Sequence, residues 1–548
     1  MIPLEHRPAL AGGGVVESKP DSEAVPLDVA IIGGGPAGLA AAVELARLSR
    51  TAAEAGEAGG EIEIGVLEKA AAIGEHSLSG AVIDPGPLLS LFPGISPDSL
   101  PFRGTVTRES TYFLTEERAL RMPVPPTMRN HGNRLVSLSE LVRWIGEQAE
   151  AMGVMLFPGF PVASLLTSGK AVIGARTTPS GLDRSGAAGP GAMPAMDVAA
   201  RVTIVAEGAR GPLTQAWLDW QGVGSANPQI YALGVKELWE APRPLDRVVH
   251  TMGWPLKGAF GGSFMYPMGG RKISLGLVAG LDSADAGLDV HELLQRMKLH
   301  PLFKPFLQGG ELLEWGARTI PEGGYHSLPE RRHGAGALIV GDAAGYVEVS
   351  SLKGVHYAVL SGILAARQAF SALRNDDTSE EALAGYTAAA DESEIGRDLH
   401  KRRNMRLAFK RGMARGVIGA GLMTLTGGRF PGGRIAVDED AAHSRRPPTE
   451  REPFTPDGEL TFSKLDAVFR SGNRTRDDIP SHLDVGNGPV DAEHARMLEA
   501  LCPAGVYEYR EDKLVVNAPN CVDCRATDVL GPRWSPREGG TGPAYREM

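Results

Sequence analysis

The sequence predicts an α/β fold built on a parallel sheet, with further parts appended, and three observations carry that expectation. Apolar strand-like runs alternate with helix-like runs through the first third of the chain. A glycine-rich turn of the form G-x-G-x-x-G joins the first such strand to the first such helix. At 548 residues the chain is also too long for one core, so about three domains are expected.

Taken in order, DVAIIGGG reads as a buried strand and turn, AGLAAAVELARL as a helix, and EIEIGVLEK as a second strand. TAAEAGEAGG (51 to 60) is low in complexity and reads as a surface insert. SLSELVRWIGEQAEAMG reads as a helix whose Ser137 and Glu140 have capping-box spacing, and RVTIVAEG as a later strand. GLDRSGAAGPGAMPAM (181 to 196) is rich in Gly, Ala and Pro and reads as a loop, and RRPPTEREPFTPDGEL (445 to 460) as a proline-rich linker.

Gly33, Gly35 and Gly38 supply the motif. Gly33 permits the tight turn, Gly35 lets backbone approach a pyrophosphate, and Gly38 lets helix and strand pack closely, with phosphate held at the helix N-terminus near Ala37. Glu68, at the end of the second strand, is placed to accept from ribose hydroxyls; it falls 30 residues after Gly38 because of the Ala/Gly/Glu insert. Far downstream, GALIVGDAAGYVEVSSLKGVHYAVLSGILAARQAF gives a second strand (Leu338 to Val340), then Gly341-Asp342, then a helix entered at Gly354 and Val355. Two strand-and-turn sites suit a long, two-part cofactor better than NAD, so FAD is expected. Asp342 would accept from a ribityl hydroxyl, or else cap a helix, and the amides at Gly354 and Val355 would face charge on the flavin ring.

Composition narrows the partners. A net charge of -10 argues against nucleic acid. Three cysteines, all between 502 and 524, exclude a disulfide framework and point to a reducing compartment. The first 27 residues carry neither a secretory nor a transit pattern and read as a loose leader. His131, His250 and His356 show no metal spacing and read as structural.

The blocks GEHSLSGAVIDP, HGNRLVSLSELVRWIGEQAEAMGV, TIVAEGARG, YALGVKELWE, GWPLKGAFGGSFMYP, CPAGVYEY and NAPNCVDC resemble the electron transfer flavoprotein-ubiquinone oxidoreductases, over almost everything from residue 28 onward. The resemblance implies a glutathione-reductase-like FAD-binding domain in two parts (28 to 215 and 331 to 398). It also implies an inserted, β-rich ubiquinone-binding domain (216 to 330), a linker (438 to 460) and a C-terminal ferredoxin-like iron-sulfur domain (461 to 548). By the same likeness Ser79 and Gly80 stand near the flavin, and Gly261 and Gly262 offer backbone contacts to the quinone. Phe260, Phe264 and Tyr266 would make a greasy quinone entrance, although core packing would look the same.

Residues 399 to 437 hold nine Lys or Arg and no acid, seven of the nine between 401 and 415, followed by a mostly apolar run from Val417 to Leu425. A basic patch beside an apolar segment too short to span reads as a membrane-surface segment; a solvated basic helix followed by a buried packing helix is the competing reading. With the resemblance, this implies a monotopic protein on the cytoplasmic face of a bacterial inner membrane, or the matrix face if mitochondrial.

The family holds a 4Fe-4S cluster on four cysteines. Cys502, Cys521 and Cys524 match three of them, and Thr527 stands in the fourth place. Four outcomes stay open: a 4Fe-4S cluster with oxygen from Thr527, Asp528 or solvent at the fourth iron, a three-iron cluster, a zinc site completed by His482 or His494, or no metal. The functional expectation is a flavin enzyme passing electrons from reduced electron transfer flavoprotein through an iron-sulfur cluster and FAD to ubiquinone. A geranylgeranyl-reductase-like enzyme acting on a lipid-like substrate, and a membrane-docking flavoprotein without a cluster, are the alternatives.

Overall fold

The computed structural model describes residues 13–56, 61–80, 82–443, 445–448, 452–486 and 490–548. Residues 1 to 12 of the expected leader, 57 to 60 of the expected insert, and 444 and 449 to 451 in the linker region lie outside them.

The first sheet starts earlier than expected. Strand β1 (Val15–Glu17) pairs in parallel with the later strand Val162–Ser168, so residues 15 to 17 are part of the sheet, not of a loose leader. Strand β2 (Val25–Ile32) carries an apolar core face and leads through the glycine turn into helix α1 (Pro36–Glu54). Pro36 opens this helix where a missing amide costs nothing. The helix absorbs residues 51 to 54 of the expected insert because Ala and Glu there are good helix formers and Ala52 is buried. Strand β3 (Ile64–Glu68) follows, parallel to β2.

The chain then leaves for the second sheet, placing β4 (Glu109–Leu114) and β5 (Ala119–Met122) at its edge. It returns in helix α2 (Leu138–Ala151), where the Ser137 hydroxyl accepts from the Glu140 amide at 3.2 Å. The reciprocal half of the expected capping box is not made: the Glu140 carboxylate faces Arg103 instead, at 2.5 and 2.9 Å. Strands β6 (Met155–Pro158), β7 (Val162–Ser168), β8 (Ala171–Thr177) and β9 (Asp197–Val205) complete this part. The Gly/Ala/Pro-rich stretch between β8 and β9 is a hairpin, Ser180–Leu182 against Ala188–Met193, because its glycines take the turn conformations and its backbone pairs. The order across the sheet is β1-β7-β8-β9-β2-β3-β6, with β9, β2, β3 and β6 mutually parallel.

The second sheet is a seven-stranded layer in the order β14-β10-β13-β12-β11-β4-β5. Its strands are β10 (Tyr231–Glu240), β11 (Val248–Gly253), β12 (Gly261–Pro267), β13 (Lys272–Gly280) and β14 (Glu311–Pro321), all antiparallel except where β11 meets β4. Strand β15 (Ala337–Ile339) then rejoins the first sheet beside β9, and helix α3 (Val355–Arg374) crosses α1. The crossing is close because small residues line it: a Cβ on Gly362 would come within 2.2 Å of the Ala37 carbonyl oxygen.

Helix α4 (Met413–Leu425) leaves Val417, Ile418, Leu422 and Leu425 exposed, and no helix of the described residues is long and apolar enough to cross a membrane. The basic run before it is not the free positive patch the sequence suggests. Arg406 is buried between Glu322 (2.7 Å) and Asp282 (3.0 Å), Lys410 also reaches Asp282 (2.8 Å), and Arg402 reaches Glu348 (2.8 Å). The acids that absorb these charges lie 54 to 128 residues away in sequence, where a local count does not see them.

The linker is packed, not free. Asp440 is buried and accepts from the Tyr231 amide at 2.7 Å, Arg446 pairs its backbone with Ala284 at 2.7 Å, and burial pushes the Asp440 carboxyl up to about 7. Beyond it, helix α5 (Lys464–Arg470) and helix α6 (Ala492–Leu501) flank the cysteine loops, and their core is continuous with that of the second sheet.

Candidate functional site

One large cavity, of about 330 Å³, opens between the glycine turn, the start of α3, the second sheet and the cysteine domain. Gly33, Gly35, Ala37, Glu68, Ser79, Gly80, Gly341, Asp342, Gly354 and Val355 all line it. Gly38 does not: a Cβ there would meet the Gly33 carbonyl oxygen at 2.0 Å, so this glycine serves the packing of α1 on its own turn. Gly33 has φ +112° and donates to the Leu67 carbonyl at 2.8 Å, and a Cβ on it would strike the Ala206 carbonyl oxygen at 2.4 Å. A Cβ on Gly35, by contrast, would meet nothing within 4 Å. That is the open approach a pyrophosphate requires. Glu68 accepts from the Gly34 and Ala70 amides, each at 2.8 Å, which fixes its carboxylate at the cavity wall.

Asp342 lies in a short 3-10 turn and caps no helix; burial pushes its carboxyl up to about 6 against the pull of Arg318. Gly354 is the N-cap of α3, so the first amides of a 20-residue helix face the cavity wall. Several lining side chains carry no sequence motif: Lys69, His76, Lys236, Arg318, Arg525 and Trp534. The two ring nitrogens of His76 and the Lys236 ammonium are buried without a hydrogen-bond partner among the described residues. Orphaned polar atoms around an apolar-floored cavity fit a bound group with its own donors and acceptors. The residues fit FAD.

The three cysteines and Thr527 converge on a second, smaller cavity, with Tyr507 and Trp534 in its wall. Cys502 closes the C-terminal end of α6, and its sulfur accepts from the Val506 amide at 3.4 Å. The Cys521 sulfur accepts from the Asp523 amide at 3.4 Å. Asp523 and Arg525 hold left-handed backbone at φ 56° and 63°, uncommon for residues with a Cβ, and this bend turns the loop around its sulfurs. Burial pushes the metal-free thiols upward, Cys524 to about 12, so thiolates here require a cation beside them. Buried thiols with amides aimed at sulfur fit an iron-sulfur cluster.

Thr527 donates to the Tyr507 hydroxyl at 3.5 Å and stays beside the cysteines. Asp528 also lines this cavity, and its carboxylate is already engaged by Arg210 and by the Trp534 amide (3.0 Å). His482 places a ring nitrogen with the Cys521 sulfur and an Asp523 oxygen, all within 4.8 Å of one another, whereas His494 is buried on α6. Asp523 is committed elsewhere, to Lys69, Arg537 (3.0 Å) and the Trp534 indole (3.1 Å). Sequence reading missed this charged knot; its one visible sign is an acid inside the C-x-x-C spacing.

The two cavities share a wall. Arg525 and Trp534 line both, with the guanidinium 4.3 Å from the indole centroid. The Thr319 amide on β14 donates to the Cys524 carbonyl at 3.0 Å, tying a strand of the larger cavity to the cysteine loop.

Gly261 and Gly262 lie at the start of β12 and do not line the larger cavity. Cβ atoms there would strike the Val278 and Thr251 carbonyl oxygens at 2.0 and 2.4 Å, so close strand packing accounts for both. Phe264 and Tyr266, further along the strand, do line it, and Tyr266 bonds His250 at 2.7 Å. Phe260 points the other way, under the Arg406 guanidinium (4.0 Å) and beside Phe409 (5.1 Å), next to the segment that leads into α4. Of the other histidines read as structural, His356 is buried with its ring tilted 41° against Tyr357, while His131 is exposed.

Comparison with known proteins is in keeping with this geometry. A family model described as ETF-QO, ubiquinone-binding, matches residues 231–320, and one described as electron transfer flavoprotein-ubiquinone oxidoreductase, 4Fe-4S, matches residues 458–546. The mitochondrial electron transfer flavoprotein-ubiquinone oxidoreductase of Arabidopsis thaliana is 36% identical, over 97% of this chain and 86% of its own. The Homo sapiens protein of the same name is 36% identical, over 95% and 89%. Among solved structures, a geranylgeranyl bacteriochlorophyll reductase-like protein from Thermoplasma acidophilum superposes with a TM-score of 0.57 at 17% identity, covering 74% of this chain and 92% of that one, which is a likeness of fold alone. With that identity sustained over nearly the whole chain, the protein belongs to the electron transfer flavoprotein-ubiquinone oxidoreductase family.

Proposed function

We propose that this protein is an oxidoreductase that takes electrons from reduced electron transfer flavoprotein and passes them, by way of an iron-sulfur cluster and FAD, to ubiquinone. The observation that carries the reading is the shared wall of Arg525 and Trp534 between the cysteine cavity and the flavin cavity. A bound cluster exchanges one electron at a time and FAD holds two, which converts a one-electron donor to a two-electron acceptor.

The chain's own residues bind, orient and insulate. Gly33, Gly35, Ala37 and Glu68 would hold the dinucleotide half, and Ser79, Gly80, Gly341, Asp342, Gly354 and Val355 the flavin half, with Gly38 supporting the turn from behind. Cys502, Cys521 and Cys524 would hold iron, and Thr527 would present a hydroxyl, not a thiolate, to the remaining corner. Gly261 and Gly262 are assigned to the quinone by family likeness; the neighbouring Phe260 and Phe409 place apolar surface between them and α4. The division into FAD-binding parts (28 to 215, 331 to 398), ubiquinone-binding part (216 to 330) and iron-sulfur part (461 to 548) belongs to the same proposal.

Membrane docking is proposed through α4 and Phe430, whose exposed apolar side chains lie near Arg415 and Arg429. The Arabidopsis thaliana and Homo sapiens relatives are named mitochondrial and no described helix is long and apolar enough to span a bilayer, which supports a peripheral location, on the matrix face or on the cytoplasmic face of a bacterial inner membrane.

Iron and sulfide content with low-temperature EPR on anaerobically purified protein tests the cluster. Flavin reduction by electron transfer flavoprotein, followed by reoxidation on adding ubiquinone, tests the function. Flavin-replete, iron-loaded protein that shows no such turnover would remove the proposal.

A further inference from the structure

Lys236 stands in the middle of β10 and lines the larger cavity. Its cross-strand partners are Gly276 on β13 and Gly316 on β14, so neither flanking strand puts a side chain beside it. The Phe264 ring closes over Gly276, and Leu78 with the Tyr545 hydroxyl closes over Gly316. The lysine therefore rises through a slot cleared by two glycines.

Its ammonium is buried and makes no hydrogen bond to any described residue. A lysine is almost never buried unpaired, because an uncompensated ammonium costs several kcal/mol in the interior. The same strand shows the ordinary arrangement next door: Glu237 faces the opposite side of the sheet and pairs with buried Lys298 at 2.9 Å. The acid that influences Lys236 is Glu314 on β14, but its carboxylate accepts from the Arg546 and Glu547 amides at 3.1 to 3.3 Å. The other ionisable groups nearby, Arg318 on β14 and Tyr545 on the final segment, offer no anion at neutral pH. On this side β13 carries Ser274, Gly276 and Val278, and at its start Lys272, a cation already held by the Glu547 carboxylate at 2.6 Å. The missing partner therefore lies in the cavity.

We infer that Lys236 donates its unmade hydrogen bond to the flavin and sets a positive charge against the ring system, favouring the electron-rich reduced form. This deepens the proposal that FAD fills the cavity and rests on it. Burial holds the free ammonium down to about 7. Electrons arriving on the flavin would raise it, so reduction above neutral pH draws one proton from solvent onto Lys236.

The test compares K236M and K236R with the unaltered holoprotein by spectroelectrochemical titration, after FAD and iron contents are measured. K236M is expected to hold FAD but shift its reduction equilibrium toward the oxidised form at least tenfold, about 30 mV for a two-electron couple. K236R, which keeps the charge, should stay within about threefold, and the EPR-monitored cluster equilibrium should not move in either variant. In the unaltered protein the flavin potential should fall more steeply between pH 7 and 8 than in K236M, or than in free FAD if K236M does not load. Full FAD with an unshifted equilibrium in K236M, or no excess slope in the unaltered protein, overturns the inference. Flavin and cluster equilibria moving together would also overturn it, as structural damage. Unaltered protein that binds no flavin refutes the parent proposal instead.

Discussion

Replacing Ile418 and Leu425 together by serine tests the proposed docking of α4 on a bilayer. Their exposures are 64% and 85%, so the pair presents about one and a half whole side chains of apolar surface to solvent. Burying such a side chain is worth about 1.5–3 kcal/mol, so losing both should cost ~2–4 kcal/mol of membrane affinity. At 1.4 kcal/mol per factor of ten, partitioning into vesicles should fall by about 30-fold to 1000-fold. Flotation with mixed zwitterionic and anionic phospholipid vesicles reads this directly. Stability should be little changed, because neither side chain is in the core. Salt dependence adds a second readout: Arg402, Arg406 and Lys410 are spent on internal acids, so raising ionic strength should weaken binding less than nine basic residues would suggest. A doubly substituted protein that floats as well as the unaltered one would refute the assignment of α4 as the docking face.

Thr527→Cys should supply the fourth thiolate, raising iron per chain and changing the EPR spectrum; identical iron content and spectrum would show that position 527 does not face the cluster. Lys298→Met leaves buried Glu237 with Trp239 and Gln295 as its donors among the described residues and should destabilise the second-sheet domain by about 3–5 kcal/mol, measured by urea unfolding followed through tryptophan fluorescence. Asp440 is held protonated by burial, to about 7 against an unfolded value near 3.9, so the folded state keeps its proton while the unfolded state loses it. Its contribution thus weakens stability progressively from about pH 4 to pH 7, by up to ~4 kcal/mol, and Asp440→Asn should flatten that decline and be more stable at pH 8. Unfolding curves for the two proteins that stay parallel across this range would count against the burial argument.

Much of the dinucleotide site was legible because its physics is local. A turn that needs positive φ at Gly33, an open approach at Gly35 and tight packing at Gly38 leave their mark within six residues, and the backbone at all three has the geometry those roles would need. Long-range charge compensation leaves no such mark. The basic run before α4 looked like a lipid-facing patch until Asp282, Glu322 and Glu348 arrived from other segments to neutralise it. Gly261 and Gly262 show the opposite limit: their motif is plain, yet strand packing alone satisfies it. Lys236 was invisible because an inward lysine in an apolar strand acquires meaning only when the two facing residues are seen to be glycines.

The bond from the Thr319 amide to the Cys524 carbonyl has a mechanical meaning. A strand of the flavin cavity and the loop carrying two sulfurs move as one piece, since sliding either would break a backbone bond in the interior. Together with the core the two parts share, that bond opposes a hinge between the two cavities. The rate of electron exchange between groups bound in them is therefore expected to respond to driving force and to stay indifferent to solvent viscosity.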